Sequence, residues 1–313
     1  MRIVFAGTGP FGIPSLRALV TSGMRPDLVV SQPDRPKGRR GTPTPPPLAE
    51  AALELGLPLF QPDRLNRPGP RERLEELAPD VMIVIAYGQI LRPKVLAIPW
   101  LGCVNVHGSL LPRHRGASPV QASILAGDEE SGVTVMLMDE GLDSGPVLGH
   151  ASVSLSGAET GGALHDQLAE LAGPVLVDSL RGYAGGEIEP RPQDSSQVTT
   201  CGLIAKSDAR LDWDRPAAEL ERRVRAFDPW PGAFTSCEIR GKDLRVVVEQ
   251  VAVEPDVSAE PGLVTAAEGD RLVVGTSSGG LRLLKLKPSG KKSMDAGAFL
   301  RGYALQAGAR FSS

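Results

Sequence analysis

Apolar residues fall into short runs along this chain, and the character of those runs changes about two-thirds of the way through. In the first part the runs are nearly unbroken. Arg2-Ile3-Val4-Phe5-Ala6, Leu28 to Ser31, Leu57 to Phe60 and Asp80-Val81-Met82-Ile83-Val84-Ile85-Ala86 read as strands. A run without polar alternation is what a parallel strand needs when both its faces are covered. Between these runs the apolar positions recur at helical spacing, which predicts helices over Phe11 to Ser22, Leu48 to Leu55, Arg71 to Leu77 and Pro119 to Ala126. Thr160 to Tyr183 has the same spacing at Leu164, Leu168, Leu171, Val175 and Leu180. Gly132 to Met138 and Pro146 to Leu155 add two more strands. Strands alternating with helices predict a Rossmann-like, mostly parallel α/β sheet.

Beyond Tyr183 the pattern breaks. Gly185 to Thr200 is polar, carries Pro190 and Pro192, and has no apolar period, so it reads as a linker. The division predicted is residues 1–188 as a catalytic domain, 189–206 as the linker and 207–313 as a second domain. That domain starts with an amphipathic helix, Ala217 to Ala226, with Leu220 and Val224 inward. Asp228-Pro229-Trp230-Pro231-Gly232 is a rigid turn. Short alternating strands follow at Phe234 to Ile239, Leu244 to Val253, Gly262 to Ala266, Arg271 to Gly275 and Leu281 to Leu286. Their number and brevity predict a small β-barrel of the oligonucleotide-binding (OB-fold) type.

Composition narrows the partners. The 313 residues suffice for two ordinary domains, and a net charge of −3 makes no general case for nucleic acid, so any RNA contact must come from local basic clusters. Cys103, Cys201 and Cys237 are far apart, odd in number and in no zinc spacing. They fit a reducing compartment and predict neither a disulfide framework nor a metal site. No apolar stretch approaches the roughly 18 residues of a membrane span, and the N-terminus opens on a strand. The expectation is a cytoplasmic protein with no metal, no membrane contact and no obligate protein partner.

The chemistry concentrates between Leu101 and Gly145. Asn105 and His107 end a strand-like run and, two apart, project from one face of it. An amide donor beside an imidazole can stabilise charge developing on an oxygen and exchange a proton near neutral pH. Asp143, in the Gly-flanked turn after Gly132 to Met138, can orient the imidazole and favour its protonated form. The same residues also describe a loop-capping pair and an ordinary turn. Gly7-Thr8-Gly9-Pro10-Phe11-Gly12 matches Gly-x-Gly-x-x-Gly, with Asp34 where a ribose-binding acid could sit. It equally describes a tight strand-to-helix turn, the reading that Pro33 and the basic loop after the second strand favour. That loop, Gln32 to Gly41, carries Arg35, Lys37, Arg39 and Arg40 among Pro and Gly. It reads as exposed and mobile, either a solvated surface or an arm that tracks phosphates. Lys285, Lys287, Lys291 and Lys292 cluster at the last turn of the barrel and leave the same two choices.

Asn105-Val106-His107-Gly108-Ser109-Leu110-Leu111-Pro112-Arg113, Arg115-Gly116-Ala117, Gly132-Val133-Thr134 and Met138-Asp139-x-Gly141-Leu142-Asp143-x-Gly145 together resemble the folate-dependent formyltransferases. Ala226-Phe227-Asp228-Pro229-Trp230-Pro231 and Leu286 to Met294 extend the resemblance to the second domain of the members that act on tRNA. The resemblance implies Asn105, His107 and Asp143 as a catalytic trio, with 10-formyltetrahydrofolate as cosubstrate. It implies Ser109, Leu110, Leu111, Pro112, Tyr87 and Gly88 around the folate. Methionyl-initiator tRNA is the acceptor it implies, held by Arg35, Lys37, Arg39, Arg40, Lys287, Lys291 and Lys292. Two departures stand out: His114 where the family usually has Trp, and Gly9 where it usually has Pro.

Overall fold

The computed structural model describes residues 1–37, 41–239 and 241–312, without the side chain of Lys37. It divides into two compact units. Unit 1 comprises Met1–Pro119, Glu130–Ser154 and His165–Cys201; unit 2 comprises Val120–Glu129, Leu155–Leu164 and the chain from Gly202 onward.

The strands of unit 1 are β1 (Ile3–Gly7), β2 (Leu28–Val30), β3 (Arg35–Lys37), β4 (Thr42–Thr44), β5 (Leu59–Phe60), β6 (Val81–Ile85), β7 (Cys103–His107), β8 (Arg115–Gly116), β9 (Glu130–Leu137), β10 (Val147–Ser154) and β11 (Thr200–Cys201). Its main sheet runs β10-β9-β7-β6-β1-β2-β5. From β7 to β5 all pairings are parallel; β9 is antiparallel to β7 and to β10. Every residue of β1, β2 and β6 is buried, as their unbroken apolar runs require. Val4, Ala6, Leu28, Val30, Met82, Val84 and Cys103 share one core cluster with Leu65, Leu74, Leu91 and Val95.

The turn after β1 explains two of its three glycines by packing. A Cβ on Gly7 would run into Leu48 and the Ile85 carbonyl, and one on Gly12 would press on Leu48 and Ile85. Gly9 faces open space. Pro10–Gly12 is a single 3₁₀ turn that leads into the helix Ile13–Thr21. These glycines let a helix approach the sheet, the tight-turn reading.

Two stretches carry bonding that their composition does not announce. The basic loop contains a short hairpin, β3 paired antiparallel with β4. Prolines tolerate such a two-stranded ribbon, because either strand has a free edge on which a missing N–H costs nothing. The predicted linker, for its part, is bonded to unit 1. Arg191 and Val147 exchange backbone hydrogen bonds of 2.9 and 2.7 Å, and β11 pairs in parallel with β8.

Unit 2 is built on β12 (Phe234–Ile239), β13 (Lys242–Glu254), β14 (Val264–Glu268), β15 (Arg271–Gly275), β16 (Gly280–Pro288), β17 (Met294–Asp295) and β18 (Phe311–Ser312). The antiparallel order is β14-β15-β16-β13-β12-β18, with β17 on β16. An antiparallel bridge between Leu263 and Arg310 brings the two edges of this sheet together, so it curls around its own core. Trp213, Leu220, Val224, Val248, Leu272, Leu283, Leu286 and Phe299 fill the interior. The helix Ala217–Ala226 lies where the sequence pattern put it, with Leu220 and Val224 buried.

Candidate active site

β7 carries Asn105 and His107 at the centre of the unit 1 sheet, between parallel β6 and antiparallel β9. In register, Asn105 lies opposite Val84 on one side and Met136 on the other, and His107 opposite Thr134. The Asn105 amide donates from Nδ2 to the Val84 carbonyl at 3.0 Å, which leaves its second N–H uncommitted. Its Oδ1 is buried and has no partner among the described residues. An unpaired buried acceptor costs about 1–3 kcal/mol, a price uncommon in a residue that serves structure alone.

His107 is buried, and its ring is held at one nitrogen and faces a carboxylate with the other. Nε2 lies 2.9 Å from the carbonyl oxygen of His114. A carbonyl only accepts, so Nε2 carries a proton and the exchangeable position is Nδ1. Nδ1 faces Asp143 Oδ2 at 3.7 Å. Burial pushes the imidazole below its ordinary pKa, against the pull of the Asp143 carboxylate and the His114 carbonyl. The two influences on the ring oppose each other: the Asp143 carboxylate favours its protonated form, and loss of hydration disfavours it.

Asp143 is reached by backbone as well as by His107. The Gly116 N–H donates to its Oδ2 at 2.8 Å. Gly116 has φ +122°, and a Cβ there would run into the Cys201 carbonyl, so only glycine places that N–H. Asp143 and His114 both hold left-handed backbone, at φ +49° and +56°. Non-glycine residues in that region store strain of about 1–3 kcal/mol each, and such residues cluster at functional sites. The family departure at His114 thus falls on a buried residue whose carbonyl grips His107, and whose N–H donates to Thr199 Oγ1 at 2.8 Å.

The remaining site candidates separate. Tyr87 and Gly88, at the end of β6, line a cavity of about 510 Å³ with Thr8, Gln32, Arg35, Thr44 and a wall of prolines. It lies at the ends of β1 and β6, where chain direction across the sheet reverses, the usual place for a ligand in such folds. Arg35 and the Tyr87-Gly88 corner, assigned to different substrates by resemblance, thus border one cavity. Burial raises the Tyr87 hydroxyl to about 12, so it stays protonated. Ser109 is buried and donates to the Arg113 carbonyl at 2.6 Å. Leu110 packs over Gly132. Leu111 and Pro112 line a different cavity of about 930 Å³, with Val147 to His150 and Gly186 to Asp194. Lys287, Lys291 and Lys292 are exposed in unit 2, and none of them ion-pairs with a described residue. Arg39, Arg40 and the Lys37 side chain lie outside the described residues. Among the described residues no group of three His, Cys, Asp or Glu side chains could hold a metal, and no helix is long and apolar enough to cross a membrane.

Sequence reasoning passed over Gln193. Its Nε2 donates to the carbonyls of Asp143 at 2.9 Å and Gly145 at 2.8 Å. Its Oε1 accepts from Arg115 Nε at 3.0 Å and Nη2 at 2.7 Å. A lone glutamine in a polar, Pro-containing stretch has no local signal that marks it.

A half-buried Asn105 and a buried His107 at the end of one inner strand, the imidazole faced by a carboxylate, are the parts of a group-transfer site, and comparison with known proteins gives the family. The family description "Formyl transferase" matches residues 1–180, and "Formyl transferase, C-terminal domain" matches residues 203–304. The chain belongs to the formyltransferase family. It is 50% identical over 305 residues to a methionyl-tRNA formyltransferase of Methylococcus capsulatus, covering 97% of this chain and 98% of that one. The enzyme of the same name from Myxococcus xanthus is 48% identical, covering 99% and 97%. Among solved structures, an N-formyltransferase from Helicobacter canadensis, in complex with folinic acid and dTDP-3-aminofucose, aligns at a TM-score of 0.65 and 14% identity, covering 90% of this chain and 98% of that one. At that identity the likeness speaks for the fold alone.

Proposed function

We propose that this chain transfers the formyl group of 10-formyltetrahydrofolate to the α-amine of methionyl-initiator tRNA, a step of translation initiation in the cytoplasm. The observation that carries the reading is the meeting of Asn105, His107 and Asp143 at the end of β7, in a chain nearly half identical over its length to methionyl-tRNA formyltransferases. Residues 1–188 are the catalytic domain in this reading, and residues 207–313 hold the tRNA.

The free amine attacks the formyl carbon, a C–N bond forms and negative charge builds on the formyl oxygen. The C–N bond to the folate then breaks, and one proton passes from the attacking nitrogen to the leaving one. Asn105 supplies the donor to the oxygen through its uncommitted N–H. His107 Nδ1 and Asp143 move the proton, because Nε2 is committed to the His114 carbonyl. Burial, which favours the neutral imidazole, suits that role, since a base must arrive without its proton. Tyr87 and Gly88, with Ser109, Leu110, Leu111 and Pro112, hold the folate in this reading, and Arg35 the acceptor end. Lys37, Arg39, Arg40, Lys287, Lys291 and Lys292 supply phosphate contacts.

The test is transfer of labelled formyl by wild type and His107→Ala. The acceptors are methionyl-initiator tRNA, free methionine and an amino-sugar nucleotide. The reading expects transfer to the tRNA alone, lost in the variant. Transfer to the sugar nucleotide alone would discard the RNA and keep the chemistry.

A further inference from the structure

Gln193 stands outside the trio, yet it uses every hydrogen-bonding position of its amide next to it. A primary amide offers two N–H groups and two lone pairs. Here both N–H groups face main-chain carbonyls, Asp143 and Gly145, and the oxygen receives the fork of Arg115. Rotating the amide by half a turn would set donors against the guanidinium and an acceptor against two carbonyls. The orientation is therefore dictated by its partners.

These bonds close a ring. Gln193 reaches Arg115; the next residue, Gly116, donates its N–H to the Asp143 carboxylate; and Asp143 returns through its own carbonyl to Gln193. One residue's main chain and side chain are thus gripped from the same strand-and-amide frame. The grip falls where the backbone needs it. Asp143 is left-handed at φ +49°, and Gly145 packs so tightly that a Cβ would run into the Leu137 carbonyl. Gln193 itself is anchored two residues earlier, where Arg191 and Val147 exchange both backbone hydrogen bonds.

We propose that Gln193 is a positioning residue for the transfer reaction: it joins Arg115 to the turn that carries Asp143, and so sets the approach of that carboxylate to His107. This rests on Asn105, His107 and Asp143 being the reacting centre. The 3.7 Å between Nδ1 and Oδ2 already exceeds the contact near 3 Å that proton exchange needs, so the turn must hold Asp143 within a short approach of His107. A turn released from Gln193 would let the distance wander while leaving the substrate cavity at β1 and β6 untouched.

The experiment compares Gln193→Met, Gln193→Glu and the control Gln197→Ala, whose side chain bonds Asp194 nearby. Met keeps the length and loses every bond; Glu keeps the acceptor for Arg115 and loses both donors to the Asp143 turn. A displacement of the order of 1 Å costs about a hundredfold. Both Gln193 variants should therefore lose kcat by about ten- to a hundredfold, with the KM for 10-formyltetrahydrofolate unchanged. The pH profile of kcat should move, since the distance of the Asp143 carboxylate sets how strongly it favours the protonated form of His107. Gln197→Ala should match wild type in both readouts.

A lowered Tm with wild-type kcat and pH profile in both Gln193 variants would overturn the proposal. So would failure of both to fold, which would confine Gln193 to stability. His107→Ala run alongside separates the two readings. If it stays active, the site assignment falls; if it is inactive while Gln193→Met is not, only the role of Gln193 falls.

Discussion

Two strands show how differently the units write their cores. In β6 each of Val81 to Ile85 is buried. In β16 Leu281, Leu283 and Leu286 are buried, while Lys285 and Lys287 are exposed. A strand covered on both faces has no place for a charge along its length, so unit 1 can present polar chemistry only where strands end or turn. A strand with one free face can carry charge at every second position. Chemistry in unit 1 is therefore concentrated at points such as Asn105 and Asp143. In unit 2 charge is spread over a surface, and no single lysine should decide anything.

The largest effect expected from this contrast is in turnover. Asn105→Ala should lower kcat by about 10²–10³, with acceptor KM nearly unchanged. Lys287→Ala should leave kcat alone and raise only the KM for tRNA. Steady-state kinetics with both substrates read the split. A kcat loss in Lys287→Ala as large as in Asn105→Ala would erase the distinction.

Stability should divide along the same line. Met82→Ala and Ile83→Ala are neighbours that face opposite sides of the sheet, and both are fully buried. Each should cost about 2–5 kcal/mol. Leu286→Ala should cost as much, but Lys287→Ala, one residue on, should stay within about 0.5 kcal/mol. Urea midpoints of the four variants measure it. Unequal costs for Met82 and Ile83 would mean that one face of β6 is less tightly covered than its burial implies.

Binding should respond more gently still. If Lys287, Lys291 and Lys292 each contact a phosphate, each Ala variant should weaken tRNA binding a few-fold and reduce the slope of log affinity against log salt by about 1. Filter binding across a salt series reads both. An unchanged slope would return these lysines to the role of solvated rim.

Legibility in the sequence followed the same division. The run Asp80 to Ala86 announced β6 because nothing polar interrupts it, and Leu281 to Leu286 announced β16 because leucines and charges share it, although the alternation breaks at Leu284, where the pairing with β13 shifts register. Asn105 and His107 were legible as a pair two apart on a strand, and Asp143 through the glycines around it. The hairpin in the basic loop was not, since Pro36 and Pro43 oppose strand structure and only their mutual pairing makes one. Gln193 and the His114 carbonyl were illegible for another reason. The partners of Gln193 lie far along the chain, and the His114 main-chain carbonyl has no residue type to read. Tertiary bonding from the polar stretch 185–201, not its composition, makes it part of the site.

The smallest expected effect separates the units by acid. Burial holds His107 below its ordinary 6.5, so between 6.5 and the folded value the unfolded chain binds a proton that the folded chain refuses. Stability contributed by the neutral ring is complete above 6.5 and declines as pH falls below it. Glu159, in unit 2, is opposed by burial but held down to about 2, against an ordinary 4.5. The Ser156 hydroxyl and N–H hold it at 2.6 and 2.8 Å, with the Gly157 N–H at 3.1 Å. Its contribution is complete above 4.5 and is lost as pH falls toward 2, and exposure to solvent keeps it small. Acid therefore acts on the two groups in different windows. Urea midpoints of wild type, His107→Gln and Glu159→Gln, followed from above 6.5 to below 4.5, test the order. His107→Gln should gain on wild type as pH falls through the upper window, because it has no proton to refuse. Glu159→Gln should start slightly weaker and converge with wild type only in the lower window. If His107→Gln instead runs parallel to wild type down to 4.5, Asp143 and the His114 carbonyl compensate the lost hydration in full, and burial leaves the imidazole unshifted.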